Sequence, residues 1–303
     1  YFAKDANGEL KYSGTNASQI IENTMSNTPD EGHICCKGNI ILTSPIIIDD
    51  KSLTFNFEQI TLDGDIDGII IRNGKSWAKS VTINGNLIYR GSTTYTKTMI
   101  HIQNQINLIV NVQKLRVEGS EAHGTAVKML AESGEAMMSD RINIHSMVGL
   151  AVGYNLTTSG TGYINDNMFE NTMIGSPDYG IVIHRGGSYI DIAKFRNMLI
   201  ECVGTGSGSI AYAIHITGAV RYATFTAVTA WDMTASPAGS KAYYSDSDVV
   251  RTRFTSCDMN YAAGSFWDDN GSETSMINSA HRISNIGHES FPNGQTSYAF
   301  AHG

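Results

Sequence analysis

Large apolar residues return along this chain at a long and nearly constant interval. Phe169-Glu-Asn-Thr-Met-Ile-Gly175 resembles Phe195-Arg-Asn-Met-Leu-Ile-Glu201, and Phe225-Thr-Ala-Val and Phe254-Thr-Ser-Cys continue the series. Extended both ways, the column takes in Phe57, Ile83, Val112, Ile144 and Ile283, at steps of 26, 29, 32, 25, 26, 30, 29 and 29 residues. A second column follows each member: Ile69-Ile70-Ile71, Ile100-His101-Ile102, Val127-Lys128-Met129, Val152-Gly153-Tyr154, Ile181-Val182-Ile183, Ile214-His215-Ile216, Tyr243-Tyr244-Ser245 and Phe266-Trp267-Asp268. A third lies just before the first, with Val81 and Ile83, Val110 and Val112, Ile142 and Ile144, and Ile190 and Ile192. Each segment alternates over three to five residues, as short half-buried strands do, and Gly, Asn, Ser and Asp fill the gaps.

Three short strands per repeat of roughly 28 residues leave no room for paired helices and too little for a four-stranded propeller blade. A coil that wraps once and stacks on its predecessor fits. Each strand then pairs in parallel with its counterpart about 4.8 Å away, and the inward side chains share one core. The pattern therefore predicts an all-β chain: a right-handed, single-stranded parallel β-helix of nine to ten coils. Asn16-Ala-Ser-Gln-Ile-Ile-Glu-Asn-Thr-Met25 predicts a short helix over 16–26, with Asn16 as N-cap, Gln19 at the capping-box position and Ile20, Ile21 and Met25 on its apolar side. That helix would cover the exposed first coil, and His33 to Asp49 would form an early coil with Pro45 at an edge or turn. The predicted boundaries are a lead-in over 1–11, the β-helix over 12–290 and an irregular segment over 291–303 that leads toward a further domain.

Composition narrows the function. The 303 residues carry a formal charge of −8, which disfavours a polyanion-binding surface such as a nucleic-acid stripe while leaving room for a local basic patch. No apolar run approaches the roughly 18 residues of a membrane-spanning helix. Tyr1 opens a polar stretch with no signal-peptide pattern, and a start without methionine suggests a processed or truncated piece. Cys35, Cys36, Cys202 and Cys257 form neither a disulfide framework nor a zinc spacing and are expected in the core. Asp63-Gly-Asp65-Ile-Asp67-Gly68 matches the front half of a calcium loop, yet position twelve falls on Gly74, which supplies no ligand. A turn whose aspartates cap backbone groups is the simpler reading. A weak calcium site there stays open; otherwise no cofactor or metal is expected.

The order Tyr-Ser-Gly-Thr-Asn-Ala-Ser, a capping helix, Gly-His-Ile-Cys-Cys-Lys-Gly-Asn-Ile-Ile-Leu, Ser-Pro-Ile-Ile-Ile and then coils resembles the pectin-lyase-like β-helix superfamily, including phage tailspikes and polysaccharide depolymerases. The resemblance covers roughly residues 12 to 290. It implies an extracellular or virion-borne protein that handles long carbohydrate chains as a hydrolase, a lyase or a binder, and tailspike-like members imply a homotrimer. No catalytic signature of pectate lyases or polygalacturonases is present residue by residue.

Three groups of side chains could carry such chemistry. The outward register of the second column reads Ile70, His101, Lys128, Gly153, Val182, His215, Tyr244 and Trp267, and two positions later Arg72, Gln103, Leu130, Asn155, His184, Thr217, Asp246 and Asp269. This ribbon offers aromatic faces for sugar C–H groups and planar polar groups for hydroxyls; it suits a glycan groove or a subunit contact, and plain surface remains open. Glu201 and Trp231 fall six positions after Phe195 and Phe225, with Asp232 next in sequence. Carboxylates on neighbouring coils about 5 Å apart suit a retaining glycosidase, and a wider separation an inverting one. Turn-capping acids beside a partly buried Trp are the alternative. The third group comprises Asp166, Glu170, Asp191 and His184, with Arg185 and Arg196 as enolate-stabilising partners of a lyase. On this reading the chain is a polysaccharide-degrading β-helix enzyme, and the alternative is a non-catalytic carbohydrate-binding fibre or adhesin segment.

Overall fold

A computed structural model describes residues 2–4, 10–90, 94–118, 123–175, 177–186, 189–201, 210–231, 239–261, 267–277 and 280–283. Two parallel sheets dominate it, one of nine strands and one of fifteen. Strands pair with their counterparts one coil away, so the molecule is a parallel β-helix, as the repeat predicts. It has about seven turns, fewer than the nine to ten predicted.

Phe169, Phe195, Phe225 and Phe254 lie above one another in the core. Their backbones pair in register, and successive rings stack at 4.6, 5.2 and 4.9 Å with interplanar angles of 11°, 9° and 12°. Upstream the column differs from the predicted one. It runs through Phe55, Ile83, Val110 and Ile142 into Phe169, so Phe57, Val112 and Ile144 stand two residues off. Both residues of each pair point inward, and a slip of two keeps the face unchanged. At the far end Met276, not Ile283, continues from Phe254. Gly85, at φ +156, makes the upstream step: a β-carbon there would sit 2.3 Å from the Phe57 ring, which fills its place.

The long strands turn corners through single left-handed residues. Asn107, Ser139, Asp166, Ile192, Tyr222, Arg251 and Glu273 all have φ between 53° and 61° and follow residues that pair coil to coil. Ile192 was expected to point inward with Ile190; its left-handed backbone instead puts it on this bend. A β-branched residue there is strained by about 1–2 kcal/mol, a cost met by the packing on either side. Asn171, Asn197, Ala227 and Ser256 form a second bend. Amide side chains follow the coils as well, from Asn56 through Asn84 to Asn111 and from Asn143 through Asn171 to Asn197.

The helix spans Ala17–Asn27, and Asn16 caps it by accepting a hydrogen bond from the Gln19 backbone. The Gln19 side chain turns to Asn23 at 3.1 Å and does not close a capping box. Ile20, Ile21 and Met25 are buried, and Lys51 of the next coil donates to the carbonyls of Met25, Ser26 and Thr28. Pro45 lies in the turn between Gly32–Leu42 and Ile46–Asp49. The cysteines correct one expectation. Cys257 is buried and Cys36 half-buried, its thiol pushed up to about 12 by burial and by Cys35, but alternation along the strand leaves Cys35 exposed. Cys202 lies outside the described residues.

Candidate functional site

The outward ribbon of the nine-stranded sheet forms, with register corrections at two coils. Ile47, Ile70, His101, Lys128, Asn155, Val182, His215, Tyr244 and Asp268 stand in one column. Asn155 replaces Gly153, which is buried, and Thr157 takes the place predicted for Asn155 in the neighbouring column. At the last coil the slip is one residue: Trp267 pairs with the inward Tyr243, and Asp268 pairs with Tyr244. A slip of one exchanges the faces, so the ribbon ends on an aspartate. Asp269 is correspondingly inside, accepting a hydrogen bond from Ser245 at 2.6 Å.

A third outward column, absent from the sequence reading, flanks this ribbon with Tyr179, Tyr212 and Lys241 in register. Its signal was available as Tyr179-Gly-Ile181 and Tyr212-Ala-Ile214, a tyrosine two residues before each inward isoleucine. Tyr179 stacks on Tyr212 at 5.5 Å, Tyr212 on His215 at 4.6 Å, and Tyr244 stands 5.0 Å from His215 and 5.8 Å from Tyr212. All four rings are half-buried, with neither the full burial of core residues nor free exposure. Burial, and then the nearby His184, pushes the His215 imidazole below its usual value, with Asp246 pulling the other way. At neutral pH the centre of the patch is therefore an uncharged imidazole among phenols, able to donate one hydrogen bond and accept another. His184 is exposed and hydrogen-bonds Thr217 through Nδ1 at 2.8 Å, while Lys241 pairs with Asp268 at 2.8 Å on the rim.

Further along the same column, His101 is half-buried between Ile70 and Lys128, its Nε2 without a hydrogen-bond partner. Burial, then Lys128, pushes its pKa down, so it too is neutral at neutral pH.

The acid groups fare differently. Glu201 and Trp231 are brought side by side in register on adjacent coils, Glu201 half-buried and Trp231 47% exposed. Asp232 lies outside the described residues. The third group is not assembled into one centre. Both oxygens of Asp191 receive Arg221, at 3.0 and 3.1 Å, and Asp166 pairs with Lys194. Glu170 stands opposite Arg196 in the same sheet, whereas His184 and Arg185 belong to the nine-stranded sheet. The Arg185 Nε is buried without a partner.

The turn aspartates serve the backbone. Asp65 accepts from the Thr96 amide at 2.7 Å and its hydroxyl at 2.5 Å, and Asp67 accepts from the Thr98 amide at 2.8 Å. Asp63 is exposed, and among the described residues no cluster of three His, Cys, Asp or Glu is arranged to hold a metal ion. No helix among them is long and apolar enough to cross a membrane.

No family model and no curated protein matches this chain. Among solved structures it is similar to tailspike protein 3 of bacteriophage CBA120, at 11% identity and a TM-score of 0.39, over 94% of this chain. The chain spans 58% of the length of that tailspike.

Proposed function

We propose that the solenoid binds a polysaccharide along the outward ribbon of its nine-stranded sheet, centred on Tyr179, Tyr212, His215 and Tyr244. The supporting observation is the half-buried cluster of rings itself. Phenol and imidazole edges offer hydrogen bonds to sugar hydroxyls, and ring faces offer apolar contact to sugar C–H groups. A parallel sheet with rungs about 4.8 Å apart repeats these contacts along a line, which suits an extended polymer. Attachment to a virion or cell surface and association as a homotrimer belong to the same proposal and rest on the resemblance in sequence. Incubation with a panel of neutral and acidic polysaccharides tests it. Binding is expected to at least one, weakened about tenfold or more in Tyr212→Ala/Tyr244→Ala, since each substitution removes a ring face and a phenol hydrogen bond worth roughly 1 kcal/mol. Binding unchanged in that variant removes the ribbon from the site.

Cleavage of the bound polymer is a second reading, favoured by the register that sets Glu201 beside the exposed Trp231. Glu201 would act with Asp232 as acid and base or acid and nucleophile. New reducing ends alone indicate hydrolysis, and a new ultraviolet-absorbing sugar end indicates elimination. If Glu201→Gln leaves such an activity intact, the reaction lies elsewhere.

A further inference from the structure

The wall between the two left-handed bends carries a different chemistry from the ribbon. One outward column there reads Arg141, Met168, Lys194, Thr224 and Arg253, and its neighbour Glu170, Arg196, Thr226 and Thr255. Most charges nearby are tied coil to coil: Lys194 to Asp166, Arg221 to Asp191, and Arg251 to Glu273 at 2.6 Å. Arg141, Arg196 and Arg253 are exposed and have no ion pair among the described residues. Among the described residues, Glu170 is the acid in register beside them, next to Arg196. A molecule of net charge −8 thus presents a local surplus of cations on one wall. Between Lys194 and Arg196 on one rung and Arg253 two rungs on lies a floor of half-buried Thr224 and Thr226, extended by Thr255 beside Arg253.

We propose that this wall is a second binding site, separate from the aromatic ribbon, and that it takes the carboxylates of an acidic polysaccharide. Arg196 and Arg253 present forked donors that match a carboxylate in two-point contact, and the threonine hydroxyls between them match sugar hydroxyls. The two cationic rungs stand about 10 Å apart, twice the strand spacing, which accommodates a carboxylate on alternate sugars of an extended chain. Charge density selects the partner. Duplex DNA carries one charge per roughly 1.7 Å, far more than three uncommitted arginines neutralise, and the rest of the molecule repels it. A glycan with one carboxylate every sugar or two asks for no more than this wall supplies.

Calorimetric titration of the whole chain with alginate oligomers tests the site, with neutral dextran, duplex DNA and phosphatidylglycerol vesicles as parallel arms. Alginate is expected to bind, and to bind more weakly as salt rises. Arg196→Gln/Arg253→Gln is expected to weaken that binding about tenfold or more, since charge-assisted bonds are the strong ones. Thr226→Glu, which sets a carboxylate in the floor, should do the same, and circular dichroism verifies the fold of each variant. No alginate binding, or binding unchanged in both variants, overturns the proposal, as does equal or tighter binding of DNA or of the vesicles. Alginate binding lost in Tyr212→Ala/Tyr244→Ala and kept in the arginine variant would place the anion on the ribbon and overturn it too. Because the ribbon is tested with the panel polysaccharides and this wall with alginate in the arginine variant, either site can fail alone.

Discussion

Two stacks of rings run along this solenoid, one inside and one outside. Phe169, Phe195, Phe225 and Phe254 are buried and nearly parallel, with centroids 4.6–5.2 Å apart. Tyr179, Tyr212, His215 and Tyr244 are spaced almost the same, 4.6–5.8 Å, but their planes range from 19° to 69°. The spacing is common because the strand repeat imposes it on both. What separates the two is wetness and order. Inside, the four phenylalanines are covered on both faces and lie parallel, although buried tyrosines meet the ladder edge-on; outside, polar tips reach water and the rings tilt. Ring stacking alone therefore does not distinguish a core from an outer surface; half-exposure with polar edges does, and the stacked, half-buried Tyr163 and Tyr189 of the other sheet share it.

The contrast can be broken by mutation. Phe195→Ala removes a ring packed on both sides and should cost about 3–5 kcal/mol, seen as a large fall in the denaturation midpoint. A loss below about 1 kcal/mol would mean that the inner stack collapses easily around the gap.

Charge sharpens the same comparison. Asp191 outside is held by Arg221, whereas Asp140 is fully buried, with one oxygen accepting from the Leu108 amide at 2.9 Å and the other unpartnered. Burial pushes its pKa well above the ordinary carboxylate value, with the Leu108 amide opposing. The folded state then keeps a proton that the unfolded state releases above pH about 4. Stability from this group is full below that pH and falls by up to about 1.4 kcal/mol per unit as pH rises toward the folded pKa. Asp140→Asn should therefore gain stability relative to the parent as pH is raised from 4 to 7, measured by denaturation at each pH. A difference independent of pH would show that Asp140 is ionised in the fold.

The smallest expected effect completes the series. Tyr212→Ala should lower stability by less than Phe195→Ala, about 1 kcal/mol, because much of its ring already meets water. A loss equal to that of Phe195→Ala would make the outer stack structural and weaken the case for the ribbon.

The coil, its three strands and the phenylalanine ladder were legible in the sequence because apolar residues recur at the coil interval. Register was legible only where one residue type marks it. Phe55 and Phe57 are equally apolar and share a face, and only the close approach at Gly85 decides between them. Trp267 was misplaced by one position because the last two coils have lost the isoleucines that mark the inward face, with Tyr243 and Ser245 in one and Trp267 and Asp269 in the other. Of the candidate site, His215 was found through Ile214 and Ile216, and Tyr244 through the coil interval that places it one rung further on. Tyr179 and Tyr212 were missed because they precede those triplets, across Gly180 and Ala213. The basic wall was invisible for another reason: Arg141, Arg196 and Arg253 are scattered in the chain, and only knowing which acids are consumed by ion pairs separates them from the other cations.

The columns of left-handed bends set how such a molecule can change length. Each bend within the fifteen-stranded sheet needs one residue, supplied here by Asn, Ser, Asp, Tyr and even Ile, so that part of a coil turns without a special sequence. A whole coil can therefore be gained or dropped while every remaining side chain keeps its direction. The reach of either wall would then vary in increments of about 4.8 Å, like beads on an abacus.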